Sequence, residues 1–146
     1  MAERLIVDGY NVIHAWPELK ALMNQSLEAA RDGLIDRMAI FAQVRTVDVT
    51  VVFDAHRTTA MANAEDMIQG VRVIYTRKGH SADHAIERIA YAAGEAGDPI
   101  IVATSDRFQR DLVRGMGGAV ISATELERQV VEAEKELGRS VDRYAR

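Results

Sequence analysis

The chain has 146 residues, and its 18 lysines and arginines against 22 aspartates and glutamates give a formal net charge of −4 at pH 7. This acidity argues against wholesale coating of nucleic acid but leaves a local basic patch open, and the absence of cysteine excludes disulfides, zinc ribbons and thiol nucleophiles. The apolar runs are far shorter than the roughly 20 residues of a membrane-spanning helix, and no signal-peptide pattern precedes them, so we expect one cytoplasmic domain over residues 1–146.

The first half of the chain predicts two buried strands with a long helix between them. Leu5, Ile6 and Val7 form a continuous apolar run, which is typical of a strand buried on both faces. Apolar residues spaced three and four apart follow Ser26, whose hydroxyl is suited to cap a helix. The predicted elements are a strand at Arg4–Val7 and the residues just beyond Tyr10, a helix at Ser26–Val44, a strand at Asp48–Asp54, and a loop with a short helical turn at Arg57–Gln69.

The second half alternates short apolar runs with amphipathic segments. These predict strands at Gly70–Thr76, Pro99–Thr104 and Ala119–Ser122, and helices at Ser81–Ala96, at Asp106–Gly115 and after Ser122 or Thr124. The buried stripe of the last helix is expected to consist of Leu126, Val130, Ala133 and Leu137. Strands that are apolar on both faces and separated by helices indicate a three-layer α/β fold, with a mostly parallel sheet of about five strands and helices on both faces.

Four aspartates lie at or near the ends of predicted strands. Asp8 ends the first strand, Asp54 ends the second, and Asp106 follows the fourth, while Asp83 lies in the first turn of the helix after the third. Ligands of open α/β sheets bind beyond the carboxyl ends of the strands, so we expect these side chains to meet there. The alternative is that each aspartate only stabilises a turn or caps a helix.

Converging carboxylates repel one another and raise each other's pKa unless a cation neutralises them. Oxygen ligands without cysteine, and without a clear histidine set, favour Mg²⁺ or Mn²⁺ over zinc. Such a site activates water for the hydrolysis of phosphodiesters, so the pattern predicts a nuclease. A phosphoacceptor aspartate is a weaker interpretation, because Asp8 has no acidic neighbour and no lysine ends the fifth strand.

Polar and basic residues surround the predicted acidic centre. Asn11 and Ser105 are candidates for orienting water or a metal ligand, although each also suits an ordinary turn or helix cap. Basic side chains next to the aspartates are candidates for binding RNA phosphates, unless they form only a solvated charged surface. These candidates are His56, Arg77, Lys78, Arg107, Arg110 and Arg114. Tyr10 and Trp16 could stack on bases, but with so few aromatic residues in the chain we expect them to pack in the core.

The order of the motifs resembles the YacP-like NYN domain family, a branch of the PIN-like nucleases. The opening stretch L-I-V-D-G-Y-N-V-I-H-A-W-P-E-L, at Leu5–Leu19, carries the most distinctive part of the resemblance. It continues through V-V-F-D-A-H at Val51–His56, S-A-D-H-A-I-E at Ser81–Glu87, V-A-T-S-D at Val102–Asp106 and I-S-A-T-E-L at Ile121–Leu126.

The resemblance implies a PIN-like fold and an endoribonuclease of the bacterial cytoplasm that depends on Mg²⁺ or Mn²⁺. On the family pattern, Asn11 aligns with the motif asparagine, and the acidic positions are Asp8, Asp54, Asp83 and Asp106. Family members are associated with RNA processing or decay, with the ribosome as a candidate partner.

The chain departs from the family pattern in two ways. Related chains often continue into a longer basic tail, whereas this one ends at Arg146, so tail-mediated contacts with RNA or the ribosome are in doubt. The first long helix offers Asp32 and Asp36, but no glutamate placed like that of many toxin-type PIN nucleases. We therefore expect one firmly held metal, with a second that binds together with substrate.

These observations predict a metal-dependent endoribonuclease that cleaves single-stranded RNA through in-line attack of metal-bound water. Asp8, Asp83 and Asp106 are the predicted metal ligands, with Asp54 acting directly or through water. The alternative is a non-catalytic module that binds RNA or the ribosome on the same scaffold.

Overall fold

The computed structural model describes residues 3–54, 64–76 and 81–145, and within them the chain alternates strands and helices. Six strands form one sheet in the order β3-β4-β2-β1-β5-β6, and every neighbouring pair is parallel except β3 and β4. The strands are β1 (Arg4–Asp8), β2 (Asp48–Phe53), β3 (Ala64–Ile68), β4 (Val71–Tyr75), β5 (Ile100–Ala103) and β6 (Ala119–Ile121).

Helices cover both faces of this sheet, as the sequence predicts. They are α1 (Gly9–Ala15), α2 (Pro17–Met23), α3 (Leu27–Arg45), α4 (Ala82–Glu95), α5 (Arg107–Gly115) and α6 (Ala123–Ala145). Leu5 and Val7 of β1 belong to the core beneath α1, α2, α3 and α6, whereas Ile6 faces the core beneath α4 and α5. The central strands are therefore apolar on both sides because each side is covered.

Several predicted helix starts are confirmed by their hydrogen bonds. The hydroxyl of Ser26 accepts from the backbone N–H of Ala29 at the start of α3, and that of Ser122 accepts from Glu125 at the start of α6. One position of the α6 stripe is wrong, because Leu137 is exposed. None of the helices described between residues 3 and 145 is long and apolar enough to cross a membrane.

The segment after β1 is helical, so the expected continuation of the strand beyond Tyr10 is wrong. The chain turns into α1 at Gly9, where an added Cβ would lie 2.4 Å from Cε1 of Phe53. Because glycine has no Cβ, the chain can pass close to Phe53 of β2 and enter α1 directly after β1. Two short helices, α1 and α2, follow where we predicted neither, with Pro17 in the first turn of α2.

The sheet has a sixth strand where we expected part of a loop. Residues 64–68 pair antiparallel with β4 through a two-residue turn, in which Gln69 and Gly70 both have positive φ. This strand lies at the edge of the sheet, and its exposed Glu65 forms an ion pair with Arg72 at 3.0 Å. An edge strand needs no apolar run, so its sequence shows none. Residues 57–63 of the predicted loop lie outside the described residues.

Candidate functional site

The carboxyl ends of β1, β2 and β5 lie at the same edge of the sheet, because these strands are parallel. Asp8 ends β1, Asp54 follows β2, and Asp106 caps α5 three residues after β5. Helix α4 brings Asp83 to the same edge from its first turn. An open pocket of about 360 Å³ lies here, and its lining includes Asp8, Tyr10, Asn11, His14, Asp54 and Asp83.

Asp8 is the most strongly perturbed carboxyl of this cluster. Its pKa is raised to about 7, first by burial and then by the negative charges of Asp83 and Asp106. Hydrogen bonds from the Thr104 hydroxyl and from the backbone of Asn11 act in the opposite direction. A carboxyl whose pKa is raised toward neutrality beside other acids is typical of a functional site.

Asp83 interacts with the remaining members of the cluster. Its pKa is raised by burial and then by the charges of Asp106 and Asp54, while His84 opposes the effect. Together with the interactions of Asp8, this links all four predicted aspartates by mutual repulsion. The structure thus brings together Asp8, Asp54, Asp83 and Asp106, which we call the acidic cluster.

Residues 104–106, between β5 and α5, are fastened to the acidic cluster by hydrogen bonds. The buried hydroxyl of Thr104 donates to Oδ2 of Asp8 at 3.3 Å and accepts from the backbone N–H of Asp106 at 3.1 Å. The backbone N–H of Ser105 donates to Oδ1 of Asn11 at 2.8 Å, and its hydroxyl accepts from the N–H of Ala123 at 3.4 Å. Through Asn11 and Ala123, Ser105 therefore joins the segment before α5 to α1 and to the start of α6.

Sequence reasoning missed Gln109, which contacts two members of the acidic cluster. Its side chain is 1% exposed, and Nε2 donates to Oδ1 of Asp83 at 2.7 Å. Its backbone N–H donates to Oδ1 of Asp106 at 2.9 Å, so Asp106 caps α5. The sequence signal that could have found it is its spacing: Gln109 stands four residues before the apolar Val113, which places both on the same face of α5.

The acidic cluster fits a hard divalent cation in charge and in donor type. Its candidate ligands are carboxylate oxygens, and bound positive charge would relieve the repulsion that, after burial, raises the pKa of Asp8 and Asp83. Within residues 3–54, 64–76 and 81–145, no three histidine, aspartate or glutamate side chains form a ready-made metal-ligand set. Asp36 of α3 is not part of the acidic cluster; its carboxylate accepts a hydrogen bond from Nε2 of Gln69 at 2.6 Å.

The predicted basic residues are placed only in part. Arg107 and Arg114 are exposed on α5, and Arg110 of the same helix is partly buried. Three further candidates, His56, Arg77 and Lys78, lie outside the described residues.

The aromatic residues near the site differ sharply in exposure. Trp16 is fully buried, donating from Nε1 to the carbonyl oxygen of Ala123 at 2.7 Å, and Tyr10 is 7% exposed. Their expected packing role is therefore confirmed. Phe108, which stands two residues after Asp106, is 71% exposed.

Comparisons with known proteins agree with the resemblance that the motifs carry. The family model of the YacP-like NYN domain matches residues 5–146. The Bacillus subtilis (strain 168) protein YacP is 41% identical over 137 residues, which cover 94% of this chain and 80% of YacP. The crystal structure of Rae1 (YacP) from Bacillus subtilis superposes with a TM-score of 0.83 at 40% identity, covering 96% of this chain and 80% of that one. A mutant of the same protein gives a TM-score of 0.82 at 39% identity, with 97% and 82% covered.

Proposed function

The chain belongs to the YacP-like NYN domain family, and on this premise we propose that it is an endoribonuclease that cleaves single-stranded RNA with Mg²⁺ or Mn²⁺. The family and the fold support an RNase-like domain. The observation that carries the finer proposal is the acidic cluster, in which burial and then the charges of Asp83 and Asp106 raise the pKa of Asp8 toward neutrality. Three of these four mutually repelling acids line the pocket, and a cation bound between them would offset their charge.

Asp8, Asp83 and Asp106 would hold the cation, with Asp54 binding directly or through water. When bound, a divalent cation supplies positive charge that lowers the pKa of water and stabilises the charge that develops on a phosphodiester. The chain's own contribution is to keep the carboxylates in place. Thr104 holds Asp8 and the backbone of Asp106, while Asn11 holds Ser105, so the ligands are positioned before substrate arrives.

Helix α5 is suited to hold the RNA. Its exposed Arg107 and Arg114 share one face with Arg110 and would bind backbone phosphates, which carry no sequence information. The exposed ring of Phe108 would stack on an unpaired base, a contact that favours single strands over duplexes. His56, Arg77 and Lys78 remain predicted RNA contacts from the sequence. The ribosome is a candidate site of action by the family's association alone.

The test is cleavage of a labelled single-stranded RNA by Asp8→Asn and Asp106→Asn variants in Mg²⁺ or Mn²⁺. We expect both variants to lose cleavage while they still bind RNA, because the arginines of α5 are unchanged. Asp66→Asn, at an exposed acid of the edge strand β3, is the matched control and should cleave like the wild type. Equal cleavage by the wild type and the Asp8→Asn variant would exclude the proposed metal chemistry.

A second candidate is a non-catalytic module that binds RNA or the ribosome. It is favoured by one observation: the described side chains form no ready-made metal-ligand set. Such a module would bind RNA equally well with and without divalent cations. It would also yield no cleavage products at any protein concentration, whereas the nuclease would yield products that EDTA abolishes.

A further inference from the structure

We propose that Gln109 is a positioning residue that fixes two ligands of the acidic cluster, Asp83 and Asp106, in one arrangement. This inference rests on the proposed function, since it assigns the glutamine a role in the same site. The contacts that carry it are the hydrogen bond from Nε2 to Asp83 Oδ1 at 2.7 Å and the hydrogen bond from the backbone N–H to Asp106 Oδ1 at 2.9 Å.

These two contacts connect separate helices. Asp83 lies in the first turn of α4, and Asp106 is the residue that caps α5. Gln109 therefore fixes one carboxylate through its side chain and the other through its main chain. A change in the side chain leaves the main-chain contact to Asp106 available, so the two contributions can be separated by substitution.

The surroundings of Gln109 indicate that its amide is not there for packing alone. The side chain is 1% exposed, yet Oε1 has no hydrogen-bond partner among the described residues. A buried acceptor without a donor destabilises a fold relative to an apolar group of the same shape. A methionine or leucine would fill this place without that penalty, so the feature left to explain the amide is its N–H donated to Asp83.

Groups that hold a metal ligand from behind affect the metal without touching it. Their removal typically lowers metal affinity or activity by about 10- to 100-fold, because the ligand then samples unproductive orientations. Gln109 stands in this relation to Asp83, since its N–H restricts the rotation of the carboxylate and the residue itself is buried. Its effect should therefore appear in cation binding even when no RNA is present.

The test compares Gln109→Met with the wild type in three measurements: Mn²⁺ binding without RNA, cleavage of single-stranded RNA, and unfolding in urea. We expect Mn²⁺ affinity and kcat to fall about 10- to 100-fold, KM for RNA to stay unchanged, and the urea midpoint to stay equal or rise. The control is Gln129→Met, because the partly buried Gln129 of α6 also donates to a carboxylate, that of Glu125 at 3.3 Å. The control should leave all cation and cleavage measurements unchanged.

A purely structural glutamine would give the opposite pattern, with a lower urea midpoint and unchanged Mn²⁺ affinity, and that result would overturn the inference. If Gln109→Met does not fold, Gln109→Asn decides in its place, because the shorter amide no longer reaches Asp83; normal Mn²⁺ affinity in that variant would again overturn it. A wild type that neither binds Mn²⁺ nor cleaves RNA removes the proposed function and this inference together. A wild type that does both while Gln109→Met matches it removes only the role of Gln109.

Discussion

Asn11 Oδ1 accepts a hydrogen bond from the backbone N–H of Ser105 at 2.8 Å, although the two residues are 94 positions apart in the chain. This contact fastens the first turn of α1 to the segment that leads from β5 into α5. Asp8 directly precedes α1, and Asp106 follows Ser105 in that segment. The asparagine side chain therefore helps to set the distance between Asp8 and Asp106.

The first prediction concerns this contact. Asn11→Ala leaves the Ser105 N–H without its acceptor, so the free energy of unfolding should fall by about 1 kcal/mol, as for one partly exposed hydrogen bond. The rate of RNA cleavage should also fall, and by more than the small increase in unfolded protein explains, because residues 104–106 lose a hydrogen bond that positions them. Urea unfolding and RNA cleavage check this, with Asn24→Ala at the exposed end of α2 as the control. A variant that is destabilised but fully active would contradict the positioning role.

The second prediction is a pH dependence of stability that comes from Asp8. Its pKa rises from 3.8, the ordinary value of an aspartate, to about 7 in the fold. Between these two pH values the folded protein keeps a proton that the unfolded chain has lost. Without divalent cations, the free energy of unfolding should therefore fall as the pH rises from about 4 to 7. Asp8→Asn removes this dependence and should stabilise the cation-free protein above pH 7, by up to about 4 kcal/mol.

Urea titrations at pH 5 and pH 8 in EDTA measure this difference. Adding Mg²⁺ or Mn²⁺ should raise the stability of the wild type more at pH 8 than at pH 5, because only ionised carboxylates bind the cation. The Asp8→Asn protein should gain much less. A wild type whose stability is equal at both pH values, or greater at pH 8 in EDTA, would show that Asp8 does not titrate as described.

The third prediction concerns the exposed ring on α5. Phe108→Ala should weaken binding of single-stranded RNA by roughly 1–3 kcal/mol, the contribution of one stacked base, whereas Phe108→Trp should bind normally. Duplex RNA should be unaffected, because its bases are already stacked. Fluorescence anisotropy in an Asp8→Asn background measures binding without cleavage. Tyr91→Ala, at another exposed aromatic residue, is the control on α4; if both alanine variants lose affinity equally, stacking at Phe108 is not the cause.

The fourth prediction tests how β1 passes into α1. Gly9→Ala places a Cβ 2.4 Å from Phe53, which must move, so we expect a loss of about 1–3 kcal/mol in the free energy of unfolding. Gly94→Ala is the matched control in α4, where the described residues leave open space around an added Cβ. That change should be neutral or stabilising by up to about 1 kcal/mol. Thermal or urea unfolding of the two variants compares them, and equal stability of both would contradict the close contact.

The sequence predicted some parts of the sheet and of the acidic cluster and not others. The central strands could be predicted because parallel strands covered on both faces must be apolar throughout. The edge strand β3 and the helix α1 could not, since an exposed edge needs no apolar pattern and a seven-residue helix contains only two turns. Asp8, Asp54 and Asp106 could be assigned to one edge because their places follow from the ends of parallel strands.

By itself, the sequence determined that the central strands are buried on both faces and which acids stand at the strand ends, because these properties depend on neighbours along the chain. Only the tertiary structure decided that Asn11 accepts a hydrogen bond from Ser105, that Phe108 is exposed, and that Gln109 reaches Asp83. Each of these depends on how helices from distant parts of the chain pack together. The hydrophobic periodicity of a sequence does not identify a side chain's partner across such a contact, because the contact depends on the positions of whole helices and strands.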